Sequence, residues 1–134
     1  MAEQYIEINE KGTKFYYLDK EKNSYHREDG PAIEWPDGEK MWLQNNRLHR
    51  EDGPAIEDAD GNKEWFIEGL YHRTDGPAIE LANGYKSWWL NGEIYREDGP
   101  AIEWADGGKT WYLHGKVVTE EEYSAYNRTK GNNL

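Results

Sequence analysis

At 134 residues the chain has the length of one domain, and the absence of cysteine excludes disulfides and thiol chemistry. A formal charge of −11 argues against a nucleic-acid backbone or an anionic membrane as partner, since both reward positive charge, and it permits a basic protein surface. Apolar residues make up 36%, yet seven Trp and ten Tyr argue against disorder and suit a thin structure in which each ring covers much area.

Met1 to Tyr5 shows neither the basic region nor the apolar core of a signal peptide, and no apolar run approaches membrane-spanning length, so the cytoplasm is the expected location. Tyr5-Ile6-Glu7-Ile8 alternates as a half-buried strand does, Glu10-Lys11-Gly12 reads as a turn, and Lys14 to Leu18 reads as a second strand. Residues 3–25 form a degenerate first unit that caps a repeat array.

From His26 onward one phrase is said four times. His26-Arg27-Glu28-Asp29-Gly30-Pro31-Ala32-Ile33-Glu34 returns from His49, from His72 with Thr74 in place of the first Glu, and from Tyr95 with Tyr in place of His. The spacing is 23 residues each time, with no insertion from His26 to Val117, which is the mark of a repeat array with units 26–48, 49–71, 72–94 and 95–117.

Within the first unit Ala32 to Trp35 is a predicted strand, Pro36-Asp37-Gly38-Glu39 a turn, and Lys40 to Leu43 the return strand. Asp-Gly is a strong hairpin signal, and it recurs as Asp60-Gly61, Asn83-Gly84 and Asp106-Gly107. With Asp37-Gly38 at the tip, Trp35 faces Lys40, Glu34 faces Met41, Ile33 faces Trp42 and Ala32 faces Leu43. The Ile–Trp pairs then define the buried face. The opposite face is expected to carry a charged row, Glu34, Glu57, Glu80 and Glu103, and a stripe of Leu43, Phe66, Trp89 and Tyr112. A second turn comes after each hairpin, at Asn45-Asn46, Glu68-Gly69, Asn91-Gly92 and His114-Gly115, and Asp-Gly-Pro adds turn chemistry before the next unit.

This unit resembles the MORN repeat: Asp37-Gly38, Trp42, Leu90-Asn91-Gly92 and His49, with their equivalents, carry the resemblance over about residues 26–117. It departs where MORN units run from His directly to Gly, because this chain inserts Arg-Glu-Asp before Gly-Pro-Ala, a variant that looks like one found in bacterial and phage proteins. The resemblance implies an elongated, non-enzymatic β-meander used for protein contacts. The phosphoinositide binding proposed for some MORN proteins fits poorly with the acidity of this chain.

Beyond the array, Thr119-Glu120-Glu121-Glu122 reads as a capping box opening a helix of about Glu120 to Arg128 that stops before Gly131 and covers the last hairpin. Lys130 to Leu134 reads as a loose tail, and 118–134 forms the C-terminal cap.

The candidate chemistry is repeated, which favours structure over catalysis. His26, His49 and His72 stand about 10 Å apart in adjacent units, too far for two to share a metal, so packing or a turn hydrogen bond is favoured. Asp58-Ala59-Asp60-Gly61-Asn62 resembles a calcium loop only at its start. Arg27, Arg50, Arg73 and Arg96 read as a ladder to neighbouring acids or, alternatively, as a row beside aromatics that suits a nucleotide, which Lys40, Lys63, Lys86 and Lys109 could join. Ser24, Ser87 and Ser124 are isolated, and no nucleophile–base pair stands out. No cofactor or metal is expected. The expected fold is all-β, an elongated antiparallel meander of about five hairpins with a C-terminal helix. The expected function is binding a protein through Phe66, Trp89, Tyr112, Glu57, Glu80 and Glu103, as a phage-type inhibitor would, with imitation of nucleic acid toward a basic groove as one form of it. Nucleotide sequestration by the Arg row, and assembly into a homodimer by sheet edges, are the alternatives.

Overall fold

The computed structural model describes residues 4–132. Glu3 at the start of the capping unit, Met1 and Ala2 where a leader would begin, and Asn133 and Leu134 of the expected tail lie outside the described residues.

The chain is an antiparallel meander. A first hairpin, β1 (Tyr5–Ile8) and β2 (Lys14–Tyr17), turns at Gly12, whose φ is 88°, with Asn9 Oδ1 accepting from the Lys11 and Thr13 amides. Each of the next three units adds four short strands. These are β3 (Ile33–Glu34), β4 (Lys40–Met41), β5 (Leu43–Gln44) and β6 (Arg47–Leu48). Then come β7 (Ile56–Glu57), β8 (Lys63–Glu64), β9 (Phe66–Ile67) and β10 (Leu70–Tyr71). The third set is β11 (Ile79–Glu80), β12 (Lys86–Ser87), β13 (Trp89–Leu90) and β14 (Glu93–Ile94). The last unit has β15 (Ile102–Glu103), a longer β16 (Lys109–Leu113) and β17 (Lys116–Val118), with helix α1 (Glu120–Asn132) after it. One eleven-stranded sheet runs β1-β2-β3-β4-β7-β8-β11-β12-β15-β16-β17, and β5–β6, β9–β10 and β13–β14 form three separate two-stranded arms. Each of the three second turns is therefore the tip of a hairpin of its own.

The register differs by one residue from the sequence expectation. Ile33 faces Met41, and Glu34 faces Lys40. The loop holds three residues, 36–38, and is closed by Trp35 N donating to Glu39 O at 2.9 Å. Gly38 takes φ 99°, whereas Asp37 is absent from the positive-φ residues and instead accepts the Glu39 amide at 2.9 Å. A two-residue turn needs positive φ at both centres; here one glycine and an Asp side chain do the turning, and the strands slip by one.

Because side chains alternate, the slip moves the tryptophans to the other face. One face carries Phe15, Ile33, Met41, Ile56, Glu64, Ile79, Ser87, Ile102 and Thr110 in cross-strand succession. Leu43 clusters with Ala32 and Ile33, and Phe15, Tyr16, Tyr25, Trp35, Met41 and Leu48 pack against them. The other face carries a continuous alternating ladder: Lys14, Glu34, Lys40, Glu57, Lys63, Glu80, Lys86, Glu103 and Lys109. Above it runs a large–small row in which the Tyr16, Trp42, Trp65 and Trp88 amides donate to the carbonyls of Ala32, Ala55, Ala78 and Ala101 at 2.7–2.9 Å. Those four alanines are essentially fully buried.

The helix opens with the expected reciprocal cap: Glu122 N donates to Thr119 Oγ1 and Thr119 N to Glu122 Oε1, both at 3.0 Å. It does not stop before Gly131 but continues to Asn132, so Lys130 is helical rather than part of a tail. Asn127 Nδ2 donates to Glu97 O at 3.4 Å and Lys130 Nζ lies 3.6 Å from Glu97, which tie the later turns to the array. Among the described residues no helix is long and apolar enough to cross a membrane.

Candidate functional site

Most of the repeated phrase serves one packing device. In each unit the guanidinium carbon of the arginine lies over the aromatic ring of the preceding unit: Arg27 on Tyr16, Arg50 on Trp42, Arg73 on Trp65 and Arg96 on Trp88, at 3.8–4.0 Å from the centroid. Nε donates to the Asp two residues on at 2.9–3.1 Å. Nη1 donates to the proline carbonyl at 3.1–3.2 Å. In the third and fourth units Nη1 also reaches Glu80 at 3.4 Å and Glu103 at 2.8 Å. The intervening glycine completes the clasp, because a β-carbon at Gly30, Gly53, Gly76 or Gly99 would stand 2.6–2.8 Å from the guanidinium carbon. Arg, Asp, Gly and Pro thus recur because one clasp uses them all, and Glu joins it in the third and fourth units.

The histidines hold the arms. His26, His49 and His72 Nδ1 accept the backbone amides of Asn45, Glu68 and Asn91 at 2.8, 2.9 and 3.0 Å. Those residues open the arm turns with φ near 50°, and each is succeeded by a second positive-φ residue. Accepting at Nδ1 places the ring proton on Nε2. The Asp58 carboxylate is likewise committed to its own turn. It accepts from the Asp60 and Asn62 amides at 3.0 and 2.9 Å and from Asn62 Nδ2 at 2.7 Å, and these bonds, the Asn62 side chain's foremost, hold its pKa below the usual range.

The sequence-derived binding residues separate in the structure. Phe66 is buried, and Trp89 and Tyr112 are half-buried. Tyr71 packs between Phe66 and Trp89, at 4.3 and 5.5 Å between centroids. Tyr71 donates to Glu64 and Trp89 to Ser87, so Phe66 and Trp89 of the arms lie on the face opposite the Glu row, as Tyr112 does in β16 by alternation from Thr110, which corrects the expectation that both share one surface. Glu57, Glu80 and Glu103 sit half-buried, each between two lysines of the ladder. Arg27, Arg50, Arg73 and Arg96 are each about one-fifth exposed, with Nε and Nη1 engaged within the chain.

What stands most exposed is a row that the sequence presents as turn chemistry alone. Asp29, Asp52, Asp75 and Asp98 have 86, 81, 84 and 86% of their side-chain surface exposed. Glu28, Glu51 and Glu97 stand beside them at 78, 83 and 71%. Units are two strands apart, so carboxylates recur about every 10 Å along one edge. Arg50, by hydrogen bond and then by charge, holds the Asp52 carboxyl below the usual carboxylate range, which keeps it ionised. The signal was present in the sequence: when Glu and Lys cancel along the ladder, the surplus negative charge must lie elsewhere. Among the described residues no group of three or more His, Asp or Glu is placed to hold a metal ion. No family model matches the chain, and neither a curated protein nor a solved structure does.

Proposed function

We propose that the chain is a non-enzymatic, MORN-like binding protein that works in the cytoplasm and engages a basic protein surface through its row of exposed carboxylates. The observation that supports this most is the recurrence in all four units of an Asp that the neighbouring Arg holds in place through one oxygen while more than 80% of its side-chain surface stays exposed. A spacing of about 10 Å is roughly three times the 3.4 Å rise between nucleotides of one DNA strand. A rigid row so spaced can stand in for phosphates toward a groove that holds nucleic acid, which is how an acidic phage-type inhibitor would block a host protein. The nucleotide alternative draws less support, because two donor positions of every guanidinium are already held within the chain.

The test compares the protein with the E28K/E51K/E97K variant in affinity capture from a host lysate at low and high salt. A partner that dissociates with salt and is lost by the variant is expected. A partner held equally by both proteins, at either salt concentration, would contradict the proposal.

A further inference from the structure

The arms close on one another in one way at two junctions and fail to do so at the third. Between the first and second arms, Gly69 N donates to Leu48 O at 2.8 Å, Arg50 N to Phe66 O at 3.1 Å, and Glu68 N to His49 Nδ1. Between the second and third, Gly92 N donates to Tyr71 O at 2.9 Å, Arg73 N to Trp89 O at 3.1 Å, and Asn91 N to His72 Nδ1. At the next junction none of the three is made among the described residues. Tyr95 stands where His would supply a ring nitrogen to His114 N, and neither Gly115 to Ile94 nor Arg96 to Tyr112 is bonded. The last arm instead runs on from the main sheet through the unbroken β16.

Helix α1 wedges this opening. The Tyr123 hydroxyl donates to Arg96 O at 2.6 Å and accepts from Gly99 N at 3.2 Å, and the Tyr126 ring stands edge-on to His114 at 5.4 Å. What remains is a groove of about 940 Å³ between the third arm, the fourth arm and the helix. Ile94 lines one wall, and His114 and Gly115 line the other. Their backbone groups are the ones that earlier junctions satisfy, and amides left without a protein partner favour a strand that can pair with them. Tyr95 and Tyr126 present partly exposed rings, which contact apolar side chains while their hydroxyls face water. Glu93 and Glu97 stand on the rim, Glu97 beside Lys130 at 3.6 Å, on a chain that carries −11.

The geometry points to a second binding site, which shares only Glu97 with the carboxylate row: the groove receives a short extended segment of a protein partner, alternating apolar and basic side chains, by backbone pairing. Where the earlier junctions are sealed by the next arm, this one is left for a strand from outside.

The probe is a terminally blocked heptapeptide of alternating Val and Lys, titrated into ¹⁵N-labelled full-length protein. Its Val–Glu counterpart and an N-methylated version are the controls. Expected are saturable shifts of the His114, Gly115 and Arg96 amides with the Val–Lys peptide, and no such shifts with either control. Y95H restores the ring acceptor, so it should draw the fourth arm onto the third and weaken the peptide by about tenfold or more, with the mid-array amides unmoved. Absence of shifts at millimolar peptide, equal binding of the N-methylated or Val–Glu peptide, or undiminished binding by folded Y95H would each overturn the assignment. Should Y95H fail to fold, the N-methyl comparison decides by itself.

Discussion

The guanidinium carbon of Arg73 lies 3.9 Å from the centroid of the Trp65 ring, so that two adjacent repeat units are joined in one stack. Gly76 forms the other side of that stack, for a β-carbon there would come within 2.8 Å of the same carbon. Gly76 is absent from the positive-φ residues, so its requirement is one of space rather than backbone conformation. Gly76→Ala is expected to destabilise by roughly 1–2 kcal/mol, the scale of one cation–π contact and one charge-assisted hydrogen bond. Urea denaturation measures this, and in an Arg73→Ala background the same change should be close to neutral.

Ser87 is fully buried, and its hydroxyl accepts the Trp89 indole N–H at 2.8 Å. The equivalent positions hold Met41, Glu64 and Thr110, so the sheet does not demand Ser there. Removing the acceptor leaves the indole N–H to find water in a half-buried site. Ser87→Ala should lower stability by about 1–2 kcal/mol, with a change in tryptophan emission. An unchanged unfolding midpoint would show that the bond contributes nothing.

Glu68 holds φ 47° at the tip of the second arm, where the third arm has Asn91 at 50°. Asn tolerates that conformation better than Glu does. Glu68→Asn should therefore stabilise by about 0.5–1 kcal/mol, provided His49 keeps its bond to the amide at this position. The rise in melting temperature is readable by calorimetry, and a fall would contradict the local account of the turn.

Tyr17 and Tyr71 are both pushed up to about 12, Tyr17 by burial and then by Tyr25 and Glu7, Tyr71 by burial and then by its bond to Glu64. The Tyr71 hydroxyl donates to Glu64 Oε1 at 2.7 Å. The folded state therefore holds these protons more tightly than the unfolded chain. The stability that results is complete below the ordinary tyrosine value of about 10 and is lost as pH rises from there toward 12. Titration of phenolate absorbance should show a late class of tyrosines coinciding with alkaline unfolding. Tyr71→Phe should shrink that class and flatten the fall in stability over the same range.

Much of the architecture was legible because it is local. The repeat, the hairpin tips and the Thr119–Glu122 cap each arise from residues close together in the chain. The faces were not legible, because they depend on whether the Asp37-Gly38 turn holds two or three residues. Only Gly38 adopts positive φ, and Asp37 turns the chain through its side chain, so one residue of slip carried Trp42 onto the face of Glu34. That slip hid the clasp, since Arg73 and Trp65 meet only once the indoles lie on the charged side. It also moved Phe66 from an expected surface stripe into the core, and left the Asp row, whose residue types suggest turns, as a largely exposed row of charge. The groove beside α1 had a sequence signal in the one missing histidine, at Tyr95, but its meaning required the bond from His72 to Asn91 to be seen first.

The most direct test is a double-mutant cycle between Trp65 and Arg73, read by equilibrium unfolding of W65L, R73Q and the pair. If the repeated arginines join neighbouring units, the two changes should be non-additive, with a coupling of about 1–2 kcal/mol. Additive losses would mean that the Arg73 guanidinium contributes nothing through the ring beneath it, and the arginine row would then have to be explained by something outside the chain.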